Sequence, residues 1–354
     1  MQLPEIRPLE VAGRLIGPGQ PCFVAAEVGL NHNGDLDLAH RSIDAAADAG
    51  ADGVKFQNFR TEDFLSDRSL TYEYVSQGET VLEAQYDMFK RYELPDDAWV
   101  ELKRHCDERG VVFFSTPTSE AGIDQLVRLS SPLLKNGSDY LVHLPMVRAM
   151  ARTGIPTVLS SGMSTLAEID DAVRAFREAG GTELLLLHCT SSYPTPPEDV
   201  NLRRLPALAA AFGVPVGLSD HSWGSVAAAG SVAVGGCFVE KHFTLDKGLP
   251  GPDHRFSADP AELRELVDSV RTMEACLGSS VVGPTASESI GRRDYRLSCV
   301  AARTLEAGES LTEADIAFRR PATGLPPAAL DWILGRPVTR RVAAGKPLEP
   351  ADVC

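Results

Sequence analysis

Short apolar runs alternate with stretches of helical period from residue 22 to residue 244, the pattern of a parallel α/β architecture. The predicted strands are residues 23–26, 53–56, 111–114, 133–135, 157–159, 184–187, 215–218 and 238–239, and residues 260–277 form a last predicted helix. Eight such units fit a closed (β/α)8 barrel better than an open doubly wound sheet. The fourth strand carries the weakest signal, because Pro132 and Gly137 bound it closely.

Past these runs the chain turns polar at once. The runs at 214–218 and 237–239 lead into Ser219-Asp220-His221 and Glu240-Lys241-His242. Side chains just beyond the C-terminal end of a buried parallel strand face the mouth of the barrel, so His221 and His242 are expected to converge there. A single histidine in such a place is most often a hydrogen-bonded structural residue; two at matching positions point to a shared metal or proton. Lys55 and Lys135 also stand at strand ends. A lysine taken out of water needs an anionic partner. With the hydroxyls of Thr116, Ser138, Ser160 and Ser219 at neighbouring ends, a phosphate or carboxylate is the natural ligand. An ion pair with Glu27 or Glu240 is the competing account. Ser119 and Thr165 read as helix caps. Residues 248–254, GLPGPDH, cannot continue a helix and read as a loop over the same mouth.

Composition narrows the partners. The formal charge of −15 and pI near 5.0 argue against nucleic acid or an anionic membrane surface, which need a basic face. An anionic small molecule stays compatible if a few lysines are focused in one cleft. Seven cysteines occur without a C-x-x-C pair, which suits a reducing compartment. Residues 1–19 mix Glu5, Arg7, Glu10 and Arg14 with prolines and hold no signal-peptide core, and no stretch reaches transmembrane length. A cytoplasmic location is expected.

From Gly278 to Arg296 the chain is polar and rich in Ser and Gly, the composition of a linker. Residues 303–316 are then echoed by 340–353, with matching pairs Leu305/Val342, Gly308/Gly345, Leu311/Leu348 and Asp315/Asp352. Two copies are too few for a solenoid, so they predict a small pseudo-symmetric β-rich domain that needs a surface to dock on. The expected divisions are a barrel over 1–281, a linker over 282–296 and the small domain over 297–354. Arg319-Arg320-Pro321 between the copies is a basic patch, by default a solvated one.

The ordered strand ends and the repeat together closely resemble the N-acetylneuraminate (sialic acid) synthase family, from residue 23 to residue 353. The motifs that carry the likeness are AEVGLNHNG (26–34), KFQ (55–57), STP (115–117), SSGM (160–163), LHCTSSYPTP (187–196), GLSDH (217–221), and EKHFTLD with GPDH (240–246, 251–254). The resemblance implies a TIM barrel joined to a small C-terminal SAF (antifreeze-like, β-clip) domain. It implies condensation of phosphoenolpyruvate (PEP) with the open-chain aldehyde of an N-acylated amino sugar resembling N-acetylmannosamine, with a divalent ion, Mn²⁺ foremost and Mg²⁺ or Co²⁺ as alternatives. Position by position, it implies His221 and His242 as metal ligands, and Lys55, Thr116, Lys135, Ser138, Ser160 and Ser219 around PEP. Gln57, Ser191, Tyr193, Asp253 and Arg320 fall at the acceptor, and Glu27 is the residue implied to move protons from the attacking water. Arg320 would come from the second copy in a domain-swapped homodimer.

Departures from the family pattern cluster at the acceptor. Ser138 is followed by Asp139 and Tyr140, where members carry Asp or Glu two residues after the serine; Asn136 replaces an aliphatic residue, and Ser191 stands where some members have Asn. Two other readings stay open: a synthase acting on a different aldose or sugar phosphate, and an inactive sugar- or PEP-binding relative.

Overall fold

The computed structural model describes residues 6–354; the first five, Glu5 of the polar N-terminal stretch among them, lie outside the described residues. The chain divides after Gly278 into two compact units. In the first, a hairpin of β1 (Leu9–Val11) and β2 (Arg14–Ile16) precedes β3 (Phe23–Gly29) and β4 (Gly53–Asn58). A second hairpin, β5 (Thr71–Ser76) and β6 (Glu79–Ala84), interrupts the strand–helix alternation. Then follow β7 (Val112–Pro117), β8 (Leu134–Asn136), β9 (Thr157–Ser160), β10 (Leu184–Cys189), β11 (Val216–Asp220) and β12 (Phe238–His242). Strands β3, β4 and β7 to β12 close into one parallel barrel, with β12 beside β3. All eight predicted runs are barrel strands, and β8 is as short as its flanking residues imply.

Most strands run further than their apolar stretches. Strand β12 continues through Glu240 to His242, with His242 opposite Glu27 and Glu240 opposite Ser219 on β11. The ladder satisfies the backbone there, so polar residues extend a strand that hydrophobicity alone would end. Strand period then sorts the side chains. Phe23 and Ala25 pack in the barrel interior, as do Val112 and Phe114, whereas Ala26, Val28, Val54, Phe56 and Phe113 pack in the layer toward the helices. Glu27, Lys55, Thr116, Lys135, Ser160, Ser219 and Glu240 all fall on the inward parity.

Aromatic rings fill the lower barrel. Phe23 stacks on Phe238 with centroids 5.0 Å apart and meets Phe114 edge-on at 6.5 Å, and Leu9, Val11 and Ile16 of the first hairpin join the same cluster. Gly53 makes room for this layer, since a Cβ there would lie 2.7 Å from the Phe23 ring and 2.9 Å from the Val112 carbonyl oxygen. Gly53→Ala is therefore expected to destabilise the fold by about 1–3 kcal/mol, read as a lower urea midpoint at unchanged m-value.

The β5–β6 hairpin was not among the predicted elements. Its turn is Gln77-Gly78, both at positive φ (53° and 84°), the geometry of a type I′ turn. Ser119 and Thr165 are caps as expected: Ser119 Oγ accepts from the Gly122 N–H, and Thr165 forms a capping box with Glu168.

In the second unit, β13 (Ser298–Ala301) pairs antiparallel with β14 (Ile316–Arg319). The repeat is structural: Leu305 bridges Val342, Gly308 and Gly345 both take the left-handed backbone, and buried Asp315 and Asp352 bind Arg303 and Arg340 respectively. Residues expected to be plain linker contain a helix, Ser289–Asp294, directly after a 3-10 turn, Ala286–Glu288, that a capping box between Thr285 and Glu288 closes.

Candidate active site

A cavity of about 480 Å³ opens at the C-terminal ends of the barrel strands, the face where side chains from many strands meet. Its floor is a charged row made by register, because Glu27 on β3 stands opposite Lys55 on β4. Lys55 Nζ lies 2.9 Å from Glu27 Oε1, 3.0 Å from Thr116 Oγ1 and 3.7 Å from Glu240 Oε1. Lys135 Nζ lies 3.6 Å from the same Glu240 oxygen. The phosphate ligand and the structural ion pair are thus not exclusive accounts of these lysines. Glu240 is an internal anion shared by both, which an incoming ligand must displace or join.

Burial sets the protonation states. It opposes the charge on Lys55, but Glu240 and Glu27 outweigh it and hold the pKa above the ordinary lysine value. At Lys135 burial wins, helped by repulsion from Lys55, and the pKa is lowered. Glu27 is raised, again by burial with Lys55 pulling back, and Gln57 Nε2 donates to its Oε1 at 2.8 Å. Asp253 is pushed up to about 7 by desolvation and then by Glu27. One oxygen each of Glu27 and Glu240 is buried without a hydrogen-bond partner.

The hydroxyls form a second row. Ser138 Oγ donates to Ser160 Oγ at 3.1 Å and accepts from the Gly162 N–H at 3.1 Å. A Cβ on Gly162 would lie 2.4 Å from Ser191 Oγ and 2.6 Å from Ser138 Oγ, so only glycine lets these side chains approach. Ser219 Oγ donates to Glu240 at 3.3 Å.

Across the cavity the two imidazoles do converge, with ring centroids 5.4 Å apart. His221 donates its Nδ1 proton to the Thr190 carbonyl at 2.9 Å, which orients the ring and leaves Nε2 as its free nitrogen. His242 Nδ1 is buried and unpartnered, and burial followed by repulsion from His221 holds its pKa well below the ordinary value. At His221 burial works against the charge, but Cys189 and Thr190 turn the net direction upward. The ring of Tyr193 covers His221 at 4.1 Å.

The 248–254 loop reaches the same mouth through Pro252 and Asp253. It is tied down by His254, whose Nδ1 lies 2.6 Å from Thr244 Oγ1 and whose Nε2 lies 3.0 Å from Asn33 Oδ1. Burial lowers the pKa of His254 and of neighbouring His32 to about 4. Unfolding frees both to protonate near pH 6.5, so stability is full above that value and declines as pH falls toward 4. The loss is on the order of 3 kcal/mol for each histidine. Urea midpoints measured across that window test this.

Comparison with known proteins places the whole arrangement. The NeuB family model matches residues 42–282, and the SAF domain model matches residues 298–353. The chain belongs to the NeuB family. It is 37% identical to the N,N'-diacetyllegionaminic acid synthase of Legionella pneumophila, with 94% of each chain covered. It is 35% identical to the human N-acetylneuraminate-9-phosphate synthase, covering 94% of this chain and 93% of that one. Among solved structures, the sialic acid synthetase of Leptospira borgpetersenii in complex with citrate matches with a TM-score of 0.73 at 32% identity, over 81% of this chain and 95% of that one.

Within this NeuB-family barrel, every site residue expected in the first unit lines the one cavity. Arg320 belongs to the second unit, exposed, with its guanidinium 5.5 Å from the Tyr295 ring centroid. Two neighbours in the strand-end motifs point away: Lys241 pairs with Asp220 at 2.9 Å behind the sheet, as the odd step of strand period requires. Glu240 and Cys189 were not among the predicted site residues. Cys189 lies 3.8 Å from His221 Nδ1; burial raises its pKa, but the His221 contact and Lys135 bring the net value down to about 6. Inward parity on β12 and β10 is the signal that would have found both.

Proposed function

We propose that this chain condenses PEP with the open-chain aldehyde of an N-acylated amino sugar, giving a nonulosonic acid of the sialic acid type and phosphate. The observation that carries the reading is the meeting of two lysines, two histidines and Glu27 on one strand-end cavity. The names of relatives, which include N,N'-diacetyllegionaminic acid, pseudaminic acid and N-acetylneuraminate-9-phosphate synthases, support it. Lys55, Lys135 and the hydroxyls of Thr116, Ser138, Ser160 and Ser219 hold the phosphate and carboxylate of PEP. Its C3 attacks the aldehyde carbon, C2 becomes cationic, water adds there, and the tetrahedral intermediate expels phosphate by C–O cleavage. Glu27, its pKa raised by burial, takes the proton of that water. Gln57, Ser191, Tyr193 and Asp253 orient the acceptor.

A divalent ion is also proposed. Among the described residues no group of three or more His, Cys, Asp or Glu could hold one, so the protein would supply only His221 and His242. The unpartnered nitrogen of His242 and its neutral state fit that duty. Mn²⁺ is the leading candidate, with Mg²⁺ or Co²⁺ as alternatives, and it would polarise the acceptor aldehyde as a Lewis acid. Both imidazoles would hold the ion in their neutral form. In a homodimer with exchanged C-terminal units, Arg320 would reach the acceptor from the second copy. No described helix is long and apolar enough to cross a membrane, and all seven cysteines are free thiols; the proposed compartment is the cytoplasm.

A panel of N-acylated hexosamines, assayed for PEP-dependent phosphate release with and without chelator, tests the reading. Release is expected with at least one acceptor and is expected to disappear with chelator and return with Mn²⁺. Binding of PEP without turnover of any acceptor would favour the inactive-relative reading.

A further inference from the structure

Pro252 and Asp253 line the active-site cavity, but the two residues before them, Pro250 and Gly251, line a second cavity of about 600 Å³ together with Asn33, Tyr74, Ser76 and Gln77. The 248–254 loop is thus a partition between the two. From the outer cavity three side chains grip its backbone. Gln77 Nε2 donates to the Gly248 carbonyl at 2.9 Å, Asn33 Nδ2 donates to the Pro250 carbonyl at 2.9 Å, and Ser76 Oγ accepts from the Gly251 N–H at 3.0 Å. Ser76 ends β5 and Gln77 begins its turn, so the hairpin holds the loop at two points. The Ser76 bond is the buried one, where a lost partner costs more than it does in water. Asn33 Oδ1 also lies 3.0 Å from His254 Nε2; an amide oxygen can only accept, so Nε2 carries the proton and Nδ1 accepts from Thr244 Oγ1. Gly251 has no slack between these holds. At its φ of 150° a Cβ would lie 2.8 Å from His254 Cδ2 and 3.2 Å from Asn33 Oδ1.

We propose that Ser76 is a positioning residue: by fixing Gly251 from outside the active-site cavity, it sets the place of the Asp253 carboxyl. The inference rests on the synthase reading above, in which Asp253 orients the acceptor. Asp253 keeps its place against its own solvation, since desolvation and then Glu27 raise its pKa to about 7. A carboxylate free to move gains by turning to water. The restraint comes through the backbone. Gly251 lies two residues before Asp253 and His254 one residue after it, so the carboxyl hangs from a short span held at both ends, and so short a span leaves it little travel. Loss of the Ser76 hydroxyl releases one end and strands the Gly251 N–H without its buried partner. Asn33 and Gln77 support the same loop further back, at Pro250 and Gly248. Ser76 enters the reaction through the loop backbone, with no contact to substrate.

The test is a double-mutant cycle in the full chain, read by PEP consumption with the N-acylated hexosamine that the wild type uses. Ser76→Ala is expected to lower kcat/KM for that acceptor by about tenfold or more, because a misplacement of about 1 Å is enough for such a loss. KM for PEP is expected to stay within about twofold, and Ser76→Thr, which keeps the oxygen, to recover most of the activity. In an Asp253→Asn background the Ser76→Ala change is expected to cost less than about twofold more, since a group that acts through Asp253 has nothing left to place. Losses that multiply across the two sites, or a folded Ser76→Ala protein with wild-type acceptor kinetics, overturn the proposal and leave the synthase reading standing. Wild-type protein that binds PEP and turns over no acceptor overturns both. Gln77→Ala removes only an exposed bond and probes the same loop without touching the core. A smaller acceptor-specific loss that vanishes in the Asp253→Asn background supports the proposal, and a loss that persists there overturns it.

Discussion

Replacing Lys135 with methionine is expected to weaken PEP binding by about a hundredfold or more, since removing one member of a buried charge pair costs roughly 2–5 kcal/mol. Methionine keeps the volume of the side chain and deletes only the charge. In the free protein that charge is a liability: Lys135 is 2% exposed and its pKa is lowered by burial and by Lys55. The Lys135→Met protein is therefore expected to melt within a few degrees of wild type, with Glu240 still held by Lys55 and Ser219. Calorimetric titration with PEP decides the matter. Affinity within threefold of wild type would mean that the lysine serves the fold rather than the ligand.

Glu27→Gln is expected to act on the other kinetic constant, lowering kcat by about 10²–10⁴-fold with the KM for PEP nearly unchanged. The amide is nearly isosteric and can still accept from Lys55, but it cannot take a proton from water. One Glu27 oxygen is buried with no partner, and burial already disfavours its charge. Removing that charge is expected to hold or raise the thermal midpoint, as happens when a residue is kept for chemistry at the expense of stability. A variant with wild-type kcat would strip Glu27 of its proposed role. Equal losses at Lys135 and Glu27 in both constants would instead indicate one collapsed site.

The barrel was legible because its signals are local. Residues 53–56 and 184–187 read as buried strands from their mostly apolar side chains, and the polar residues that follow mark the C-terminal part of each strand. The site was legible to the same extent, since alternation alone assigns Glu27, Lys55 and Ser219 to one face once the strands are known. The β5–β6 hairpin escaped although alternation and a Gln-Gly turn mark it, because its side chains are half exposed and the apolar contrast is weak. The helix Ser289–Asp294 escaped for a related reason: none of its residues is buried, so it presents no apolar face to the core.

What the chain alone determined is which residues exist at which parity on which strand. Those follow from period and composition, which no distant contact alters. Only closure of the ring, with β12 laid beside β3, brings His242 opposite Glu27 and puts Glu240 between two lysines from β4 and β8. The protonation of these groups was likewise beyond any linear reading. The pKa of Lys55 goes up and that of Lys135 goes down, although both are lysines at strand ends, because desolvation and the distances to two carboxylates exist only in the folded chain.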